Sequence, residues 1–268
     1  MKVVLFCGGL GMRLREYSEN VPKPMVPIGY RPLLWYLMKY YSYYGHNDFI
    51  LCLGYRADVI KNYFLNYNEA IANDFVWSAR GARLEVLRSD VQDWRITFVD
   101  TGMSTSIGQR LKAVEEHLEG EEVFLANYTD NLTDLPLPRL LEFSQKRDKT
   151  AAFLCVRPRQ TFHVVSLNGD GTVRRFLDAG RSNVWTNGGF FVFKQRIFDY
   201  IKRGEDLVAE PFQRLIQEEE LVAYKYDGFW ACMDTFKEKQ QLEDLYAQGS
   251  APWRVWETHE ARAVGADA

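Results

Sequence analysis

A short apolar run near the start of the chain, ending in a glycine-rich turn, constrains the fold more than any other feature. Residues 3–6 read Val-Val-Leu-Phe, and Gly8, Gly9 and Gly11 follow them. A short apolar run bounded by glycine predicts a buried strand that delivers a flexible backbone turn. Because glycine has no Cβ atom, such a turn lets backbone N–H groups approach a polyphosphate closely. The turn is therefore a candidate phosphate site.

Two well-known glycine motifs do not match this turn. A dinucleotide-binding turn places a third glycine three residues after the second, where this chain has Leu14. A P-loop ends in Gly-Lys-Ser/Thr, whereas Met12 and Arg13 follow Gly11 here. A glycine turn after a strand has a purely structural role about as often as it binds phosphate. The decision between these roles therefore depends on the residues that follow.

Two cations follow the turn and favour an anion-binding role. Arg13 offers a forked guanidinium two residues after Gly11. Lys23 lies between Pro22 and Pro24, which fix φ on both sides and present the lysine from a stiff segment. We therefore predict that both cations contact a polyphosphate.

The order of the predicted elements indicates an α/β fold. After the first strand, the pattern predicts a helix from Pro32 to Gly45, a strand over Asp48–Leu53 and a helix over Arg56–Tyr67. This order builds a parallel sheet with right-handed crossovers, whose ligand binds at the carboxyl ends of the strands. Further predicted segments are strands at 84–87, 95–99 and 123–126 and helices at 108–118 and 137–146. We predict a Rossmann-like mixed, mainly parallel sheet flanked by helices.

From Ala151 onward the pattern becomes strand-rich. Apolar runs at 151–156, 163–167, 173–176 and 188–193 are separated by turn signals, and they predict an antiparallel extension of the sheet. Helices at 195–202, 211–219 and 236–246 and a strand at 221–226 complete the prediction. We expect one domain over 1–257, in which 1–150 bind a nucleotide, 151–235 bind an acceptor, 236–257 form the C-terminal helix and end segment, and 258–268 form a disordered tail.

Composition excludes several classes of protein. The 268 residues carry a net charge of −3, which gives no general attraction to nucleic acid or to an anionic membrane. No window approaches eighteen apolar residues, and the chain begins directly with a strand, so we expect a soluble cytoplasmic protein. The four cysteines have no Cys-x-x-Cys spacing, which favours reduced, buried thiols over disulfides or zinc.

Two aspartates are candidates for holding a metal ion. Asp130 follows the predicted strand at 123–126 and would face the ligand crevice, where a carboxylate suits Mg²⁺. Asp234 precedes the last predicted helix. The alternatives are an Asx turn for Asp130 and a helix N-cap for Asp234, and the pattern alone leaves them open.

Several sequence blocks resemble one enzyme family. GGLGMRLRE at 8–16 and VPKPMVPIGYRPLLWYLM at 21–38 resemble the signature of sugar-1-phosphate nucleotidyltransferases. The blocks at 54–67, 98–102, 187–193, 229–235 and 251–257 resemble the glucose-1-phosphate cytidylyltransferase branch. The resemblance implies transfer of a nucleoside monophosphate from CTP, or another nucleoside triphosphate, to a phosphorylated acceptor in nucleotide-sugar biosynthesis. It also implies Mg²⁺ as cofactor and a homo-oligomer, for which the tyrosine-rich helix around Tyr40, Tyr41, Tyr43 and Tyr44 offers apolar surface.

The resemblance also implies roles for individual residues. The resemblance assigns catalysis to Lys23, Arg13 and Asp130, and it assigns metal binding to Asp130 and Asp234. The nucleotide is assigned to Leu5, Cys7, Gly8, Gly9, Gly11, Met12, Arg13, Lys23, Thr101, Gly108 and Arg110. The acceptor is assigned to Asp178, Arg181, Asn187, Gly188 and His163. An ordinary solvated position on a helix is the alternative for Arg110.

The chain departs from the family in the part assigned to the acceptor. The family's Glu-Lys-Pro motif is absent, and Asp178 and Arg181 are its nearest replacements in the segment Phe-Leu-Asp-Ala-Gly-Arg at 176–181. His163 stands where the branch has a glycine. These changes suggest an altered acceptor, a sugar 1-phosphate or a non-sugar phosphate or phosphonate. A catalytically silent nucleotide-binding protein is a further alternative, while the glycine spacing disfavours a nicotinamide-dependent oxidoreductase.

Overall fold

The computed structural model describes residues 1–9, 21–87, 93–158 and 163–257. The predictions for Gly11, Met12 and Arg13, for the Gln160–Phe162 segment and for the tail at 258–268 lie outside the described residues.

Strands and short helices alternate along the described chain. The strands are β1 (Val3–Phe6), β2 (Pro27–Ile28), β3 (Arg31–Pro32), β4 (Asp48–Leu53), β5 (Phe75–Ser78), β6 (Arg83–Val86), β7 (Arg95–Asp100), β8 (Val123–Tyr128), β9 (Asn131–Thr133), β10 (Ala151–Val156), β11 (His163–Leu167), β12 (Val173–Asp178), β13 (Thr186–Asn187), β14 (Phe191–Lys194), β15 (Leu221–Tyr226) and β16 (Trp230–Cys232). The α-helices are α1 (Leu33–Tyr43), α2 (Ala57–Leu65), α3 (Ile107–Ala113), α4 (Leu137–Arg147), α5 (Ile197–Tyr200), α6 (Glu210–Gln217) and α7 (Phe236–Ala247).

A mixed central sheet organises the molecule, as the sequence predicts. Its strand order is β13-β10-β14-β8-β1-β4-β7, and β15 pairs with β10. The strands β8, β1, β4 and β7 pair in parallel, whereas β14 is antiparallel to both β8 and β10. A mainly parallel sheet with an antiparallel extension is therefore the observed fold class.

The central strand β1 is buried on both faces, which explains its continuous apolar sequence. Val3 and Leu5 pack into one core cluster with α1 and α4, and Val4 and Phe6 pack into a second cluster on the opposite face with α3 and α6. The chain leaves β1 through Cys7, so the glycine turn begins at the carboxyl end of the parallel strands. That edge is where open α/β sheets bind ligands.

The prediction of a single antiparallel extension is wrong for two of its strands. Among the strands that the structure describes, β11 and β12 pair only with each other and form a separate hairpin, while β10, β13 and β14 join the central sheet. A second hairpin, β5–β6, was not predicted as a pair. The predicted strands at 84–87 and 95–99 both form, but the first lies in this hairpin and the second is β7 of the central sheet.

Two predicted helices are shorter than expected. The helix expected at 195–202 is only α5, and the one expected at 108–118 is α3 followed by a separate 3-10 turn, Glu115–Leu118. Within the described residues, no helix combines the length and the apolar character needed to cross a membrane.

The tyrosine-rich helix α1 is packed inside the chain rather than exposed for a subunit contact. Tyr40 and Tyr41 are almost fully buried in the core. On another side of the helix, Trp35 and Tyr36 pack against Trp256 of the C-terminal segment. The argument for a subunit contact from this helix therefore fails for these side chains, and homo-oligomer formation stays a prediction that light scattering would test.

Candidate active site

A cavity of about 1150 Å³ opens beside the ends of several strands. Asp130 enters it from the connection between β8 and β9, Asn187 from the end of β13, Cys232 from the end of β16, and Asp234 from the connection between β16 and α7. Residues that are distant in sequence thus meet in one recess, at the edge where the sheet was expected to bind ligands.

Lys23 joins the two predicted metal ligands at this cavity. Its Nζ donates hydrogen bonds to Asp130 Oδ2 at 2.7 Å and to Asp234 Oδ1 at 2.5 Å. The lysine begins a 3-10 turn whose preceding Pro22 has φ of −65°, and Pro24 within that turn is buried. The two prolines therefore fix the segment as the sequence predicts, and the lysine is held by charges at both carboxylates.

The charge balance around Lys23 keeps its ammonium protonated. The side chain is only 13% exposed, and this burial by itself disfavours the charged form. Burial is the largest single effect, but the Asp130 charge, the neighbouring Cys232 and the hydrogen bonds to Asp130 and Asp234 together outweigh it, so the pKa of Lys23 lies above the ordinary lysine value. A raised pKa makes this ammonium a permanent positive charge at neutral pH.

Asp234 is not the N-cap of the last helix, so the capping role that the sequence left open for it is wrong. Thr235 is the N-cap of α7, and Thr235 and Glu238 form a capping box. Glu238 also accepts a hydrogen bond from the Asp234 backbone N–H at 2.8 Å. The capping box therefore fixes the backbone at Asp234 and leaves its carboxylate to meet Lys23.

A small antiparallel sheet holds the Asp130 segment next to the Asp234 segment. β9 pairs with β16, and Asn131 lies opposite Cys232. Beside this pair, the Met233 N–H donates to the Asp130 carbonyl at 2.8 Å. Backbone bonds thus tie the segment that carries Asp130 to the segment that carries Asp234, so the separation of the two carboxylates is fixed by the fold.

Asp130, Cys232 and Asp234 form a candidate metal site. One ligand atom from each, a carboxylate oxygen or the sulfur, lies within 4.8 Å of the others. The two carboxylates already share one cation, the Lys23 ammonium, which shows that their spacing suits a positive charge between them. The donor set therefore fits a divalent cation.

Beneath the glycine turn lies Arg110, which is 2% exposed. Its guanidinium donates to the carbonyls of Gly8 at 2.9 Å, Leu53 at 3.1 Å and Met103 at 3.2 Å, and to Thr101 Oγ1 at 2.7 Å. A Cβ atom at Gly8 would collide with this guanidinium. The alternative of a solvated helix residue is wrong, and Arg110 supports the turn from inside the molecule.

The other residues assigned to the nucleotide differ in how exposed they are to solvent. The Leu5 and Cys7 side chains are fully buried, and burial raises the pKa of the Cys7 thiol to about 12. A ligand contact from either side chain is therefore not supported. Gly9 is exposed at the turn, whereas Gly108 allows α3 to pack closely against the backbone at 205–207.

Two of the five residues assigned to the acceptor line the cavity, a third adjoins one of them, and two lie elsewhere. Asp178 and Asn187 line the wall, and Gly188 adjoins it with its carbonyl bonded to Trp230 Nε1 at 2.9 Å. His163 is exposed on the β11–β12 hairpin, where it stacks on Phe176. Arg181 is exposed at the end of a short turn, outside the residues that line the cavity.

Sequence reasoning missed residues that shape this site. Phe190 has a positive φ of 49°, and the buried Asn127 stabilises it by accepting its N–H at 2.9 Å. Cys232 was grouped with the buried thiols, yet its two-residue spacing from Asp234 in an extended segment was a signal that both side chains face one side. No comparable local signal marks Asn127.

Comparisons with known proteins agree with this architecture. A nucleotidyl transferase family model matches residues 2–239. The glucose-1-phosphate cytidylyltransferase of Salmonella typhimurium is 40% identical over 259 residues, which cover 96% of this chain and 100% of that protein. The probable glucose-1-phosphate cytidylyltransferase of Bacillus subtilis is 34% identical over 264 residues, with 96% and 100% covered.

A solved structure supports the same fold at lower sequence identity. A putative glucose-1-phosphate thymidylyltransferase from Bacillus anthracis superposes with a TM-score of 0.66 at 16% identity, covering 94% of this chain and 95% of that one. The family model and the full-length relatives together establish that the chain belongs to the nucleotidyl transferase family.

Proposed function

We propose that this protein transfers the CMP group of CTP to a sugar 1-phosphate and releases pyrophosphate. The observation that carries the proposal is the Lys23 ammonium held between Asp130 and Asp234, two carboxylates that line the cavity. The named activities of the Salmonella and Bacillus relatives support the choice of CTP and of glucose 1-phosphate as the first acceptor to test.

The reaction needs charge compensation more than it needs a base. A phosphate oxygen of the acceptor attacks the α-phosphorus of CTP, the bond between that phosphorus and the bridging oxygen breaks, and pyrophosphate leaves with the electron pair. The attacking oxygen is already ionised, so no side chain has to remove a proton. The site therefore has to align two polyanions and offset their mutual repulsion.

We assign these tasks to cations and backbone groups of the chain. Lys23 neutralises the α-phosphate and the acceptor phosphate, with its position fixed by the two aspartates. The backbone N–H groups of the glycine turn and Arg13 hold the leaving pyrophosphate. Arg110 keeps the turn in place from below through the Gly8 carbonyl.

Mg²⁺ is the cofactor we propose, with Asp130 and Asp234 as its protein ligands. When bound, it would supply positive charge to the phosphate oxygens of the triphosphate. We also propose that residues 1–150 hold the nucleotide and that the wall carrying Asp178 and Asn187, with Gly188 next to it in sequence, faces the acceptor. The wall offers carboxylate and amide groups that suit sugar hydroxyls.

The acceptor is tested by measuring pyrophosphate release with CTP and a panel of acceptors. The panel contains glucose 1-phosphate, other sugar 1-phosphates, and small non-sugar phosphates and phosphonates. We expect turnover with a sugar 1-phosphate. Turnover confined to a non-sugar phosphate or phosphonate would replace the sugar by that class, and CTP binding without pyrophosphate release in any reaction would identify a silent nucleotide-binding protein.

The metal assignment predicts a shifted magnesium requirement in Asp234→Asn. The neutral amide keeps the shape of the side chain but removes one anionic ligand, so we expect half-maximal activity at a Mg²⁺ concentration higher by about tenfold or more. Asp244→Asn is the matched control, because Asp244 lines the same cavity but contacts Gln240. An Asp234→Asn titration that overlays the wild-type curve would remove Asp234 from the metal site.

A further inference from the structure

Cys232 is the one member of the candidate metal site for which the proposed reaction has no use. Its sulfur lies within 4.8 Å of ligand oxygens of both Asp130 and Asp234. The residue is half-buried and lines the same cavity, so its thiol is reachable from the cavity as well as close to the carboxylates.

The backbone fixes the sulfur in this place. Cys232 is the last residue of β16 and pairs with Asn131, which adjoins Asp130. Asp234 follows two residues later, and the capping box at Thr235 and Glu238 holds its backbone. The three donors therefore belong to two segments joined by ladder hydrogen bonds, which fix the spacing of the segments.

We propose that Cys232 acts with Asp130 and Asp234 as a third protein ligand, so that the site binds a thiophilic divalent cation of the cobalt, zinc and cadmium class in addition to Mg²⁺. The proposal rests on the metal site of the proposed function and adds a sulfur ligand to it. Mg²⁺ prefers oxygen ligands, whereas a thiolate selects softer cations. Two carboxylates and one thiolate would therefore be more selective for soft cations than the two carboxylates alone.

Coordination by Cys232 is a ligand exchange with no change of oxidation state. The thiol loses its proton to solvent, and the sulfur electron pair forms the bond to the cation. Lys23 contacts one oxygen of each carboxylate. The charge sum is also favourable, because the two carboxylates together carry one more charge than the single positive charge that Lys23 supplies.

The test is a titration of the reduced protein with Co²⁺ in the absence of nucleotide, followed by absorption spectroscopy. Thiolate coordination gives a charge-transfer band in the near ultraviolet that carboxylate coordination does not give. We expect the band in the wild-type protein and its loss in Cys232→Ser and Cys232→Ala. We also expect both variants to weaken Co²⁺ binding by about tenfold or more relative to Mg²⁺ binding.

Cys155→Ser is the matched control for these variants. Cys155 is also half-buried on a strand, but it does not belong to the metal cluster, so its variant should keep the band. A wild-type protein that binds no Co²⁺, or binds it without the band, would overturn the proposal, as would a band that persists in Cys232→Ala. These results are independent of pyrophosphate release with Mg²⁺, so failure of the proposed reaction and failure of the sulfur ligand are distinguishable.

Discussion

Lys23→Ala is expected to lower kcat by about 100-fold or more, because one preorganised donor at a transition state of this kind typically contributes about 3 kcal/mol. The ammonium is fixed by bonds of 2.7 and 2.5 Å to two carboxylates, so it needs no reorganisation when charge builds up on the phosphates. Its raised pKa keeps it charged over the neutral pH range, and loss of the side chain therefore removes a full positive charge. Pyrophosphate release at saturating substrates measures the effect.

A second measurement separates this catalytic role from a structural one. Without Lys23, the Asp130 and Asp234 carboxylates face each other with no shared cation, so we expect lower thermal stability in a metal chelator and recovery when Mg²⁺ is added. Lys146→Ala is the control, since Lys146 forms an exposed ion pair with Glu142 on α4. A Lys23→Ala protein with kcat within about threefold of wild type would refute the assignment.

The parallel half of the fold was predictable because its strands and helices have clear periodicity. β4 forms over the predicted residues, and α1 and α2 form within one or two residues of the expected bounds. The β5–β6 hairpin was not predictable in the same way. Its turn does contain Gly81, but the two residues before it, Ala79 and Arg80, also have positive φ of 52° and 55°, which residues of these types rarely adopt and which no sequence signal predicts.

Strand pairing is the second feature that the sequence could not supply. The β11–β12 segments have the apolar residues and the Asn-Gly-Asp-Gly turn of a hairpin, and they form one. Nothing in that pattern says whether a hairpin extends an existing sheet or stands apart from it. That choice depends on which sheet edge is left uncovered by the rest of the chain, a property of the assembled fold.

Some residues of the site could be selected from the sequence and others could not, for a physical reason. Asp130 could be selected because it follows a predicted strand and Asp234 because it precedes the last predicted helix, and the resemblance assigned both to one metal site. The burial of Arg110 could not be predicted, because arginines on helices are ordinarily exposed. Its partners include backbone carbonyls at Gly8 and Met103, which side-chain patterns do not report.

Arg110→Leu is expected to lower the free energy of unfolding by about 2–4 kcal/mol. The change keeps an apolar stem but removes the donors to the Gly8 and Met103 carbonyls, and the loss costs more at the buried Gly8 than at Met103, which is 62% exposed. The Leu53 carbonyl loses less, because Thr101 also donates to it. Burial lowers the pKa of the Arg110 guanidinium, so part of the loss is offset by removal of a poorly solvated charge. Urea unfolding measures the difference.

The same variant should also weaken CTP binding, because the glycine turn loses its support at Gly8. Arg110→Lys is the informative comparison: it keeps the charge but lacks the fork that reaches several carbonyls at once, so its stability should fall between wild type and Arg110→Leu. Arg95→Gln controls for loss of an exposed arginine at an ion pair with Asp48. If Arg110→Leu unfolded at the wild-type urea concentration and bound CTP normally, the turn would not depend on the buried guanidinium. Reduced stability with unchanged CTP affinity would instead confine Arg110 to a role in folding.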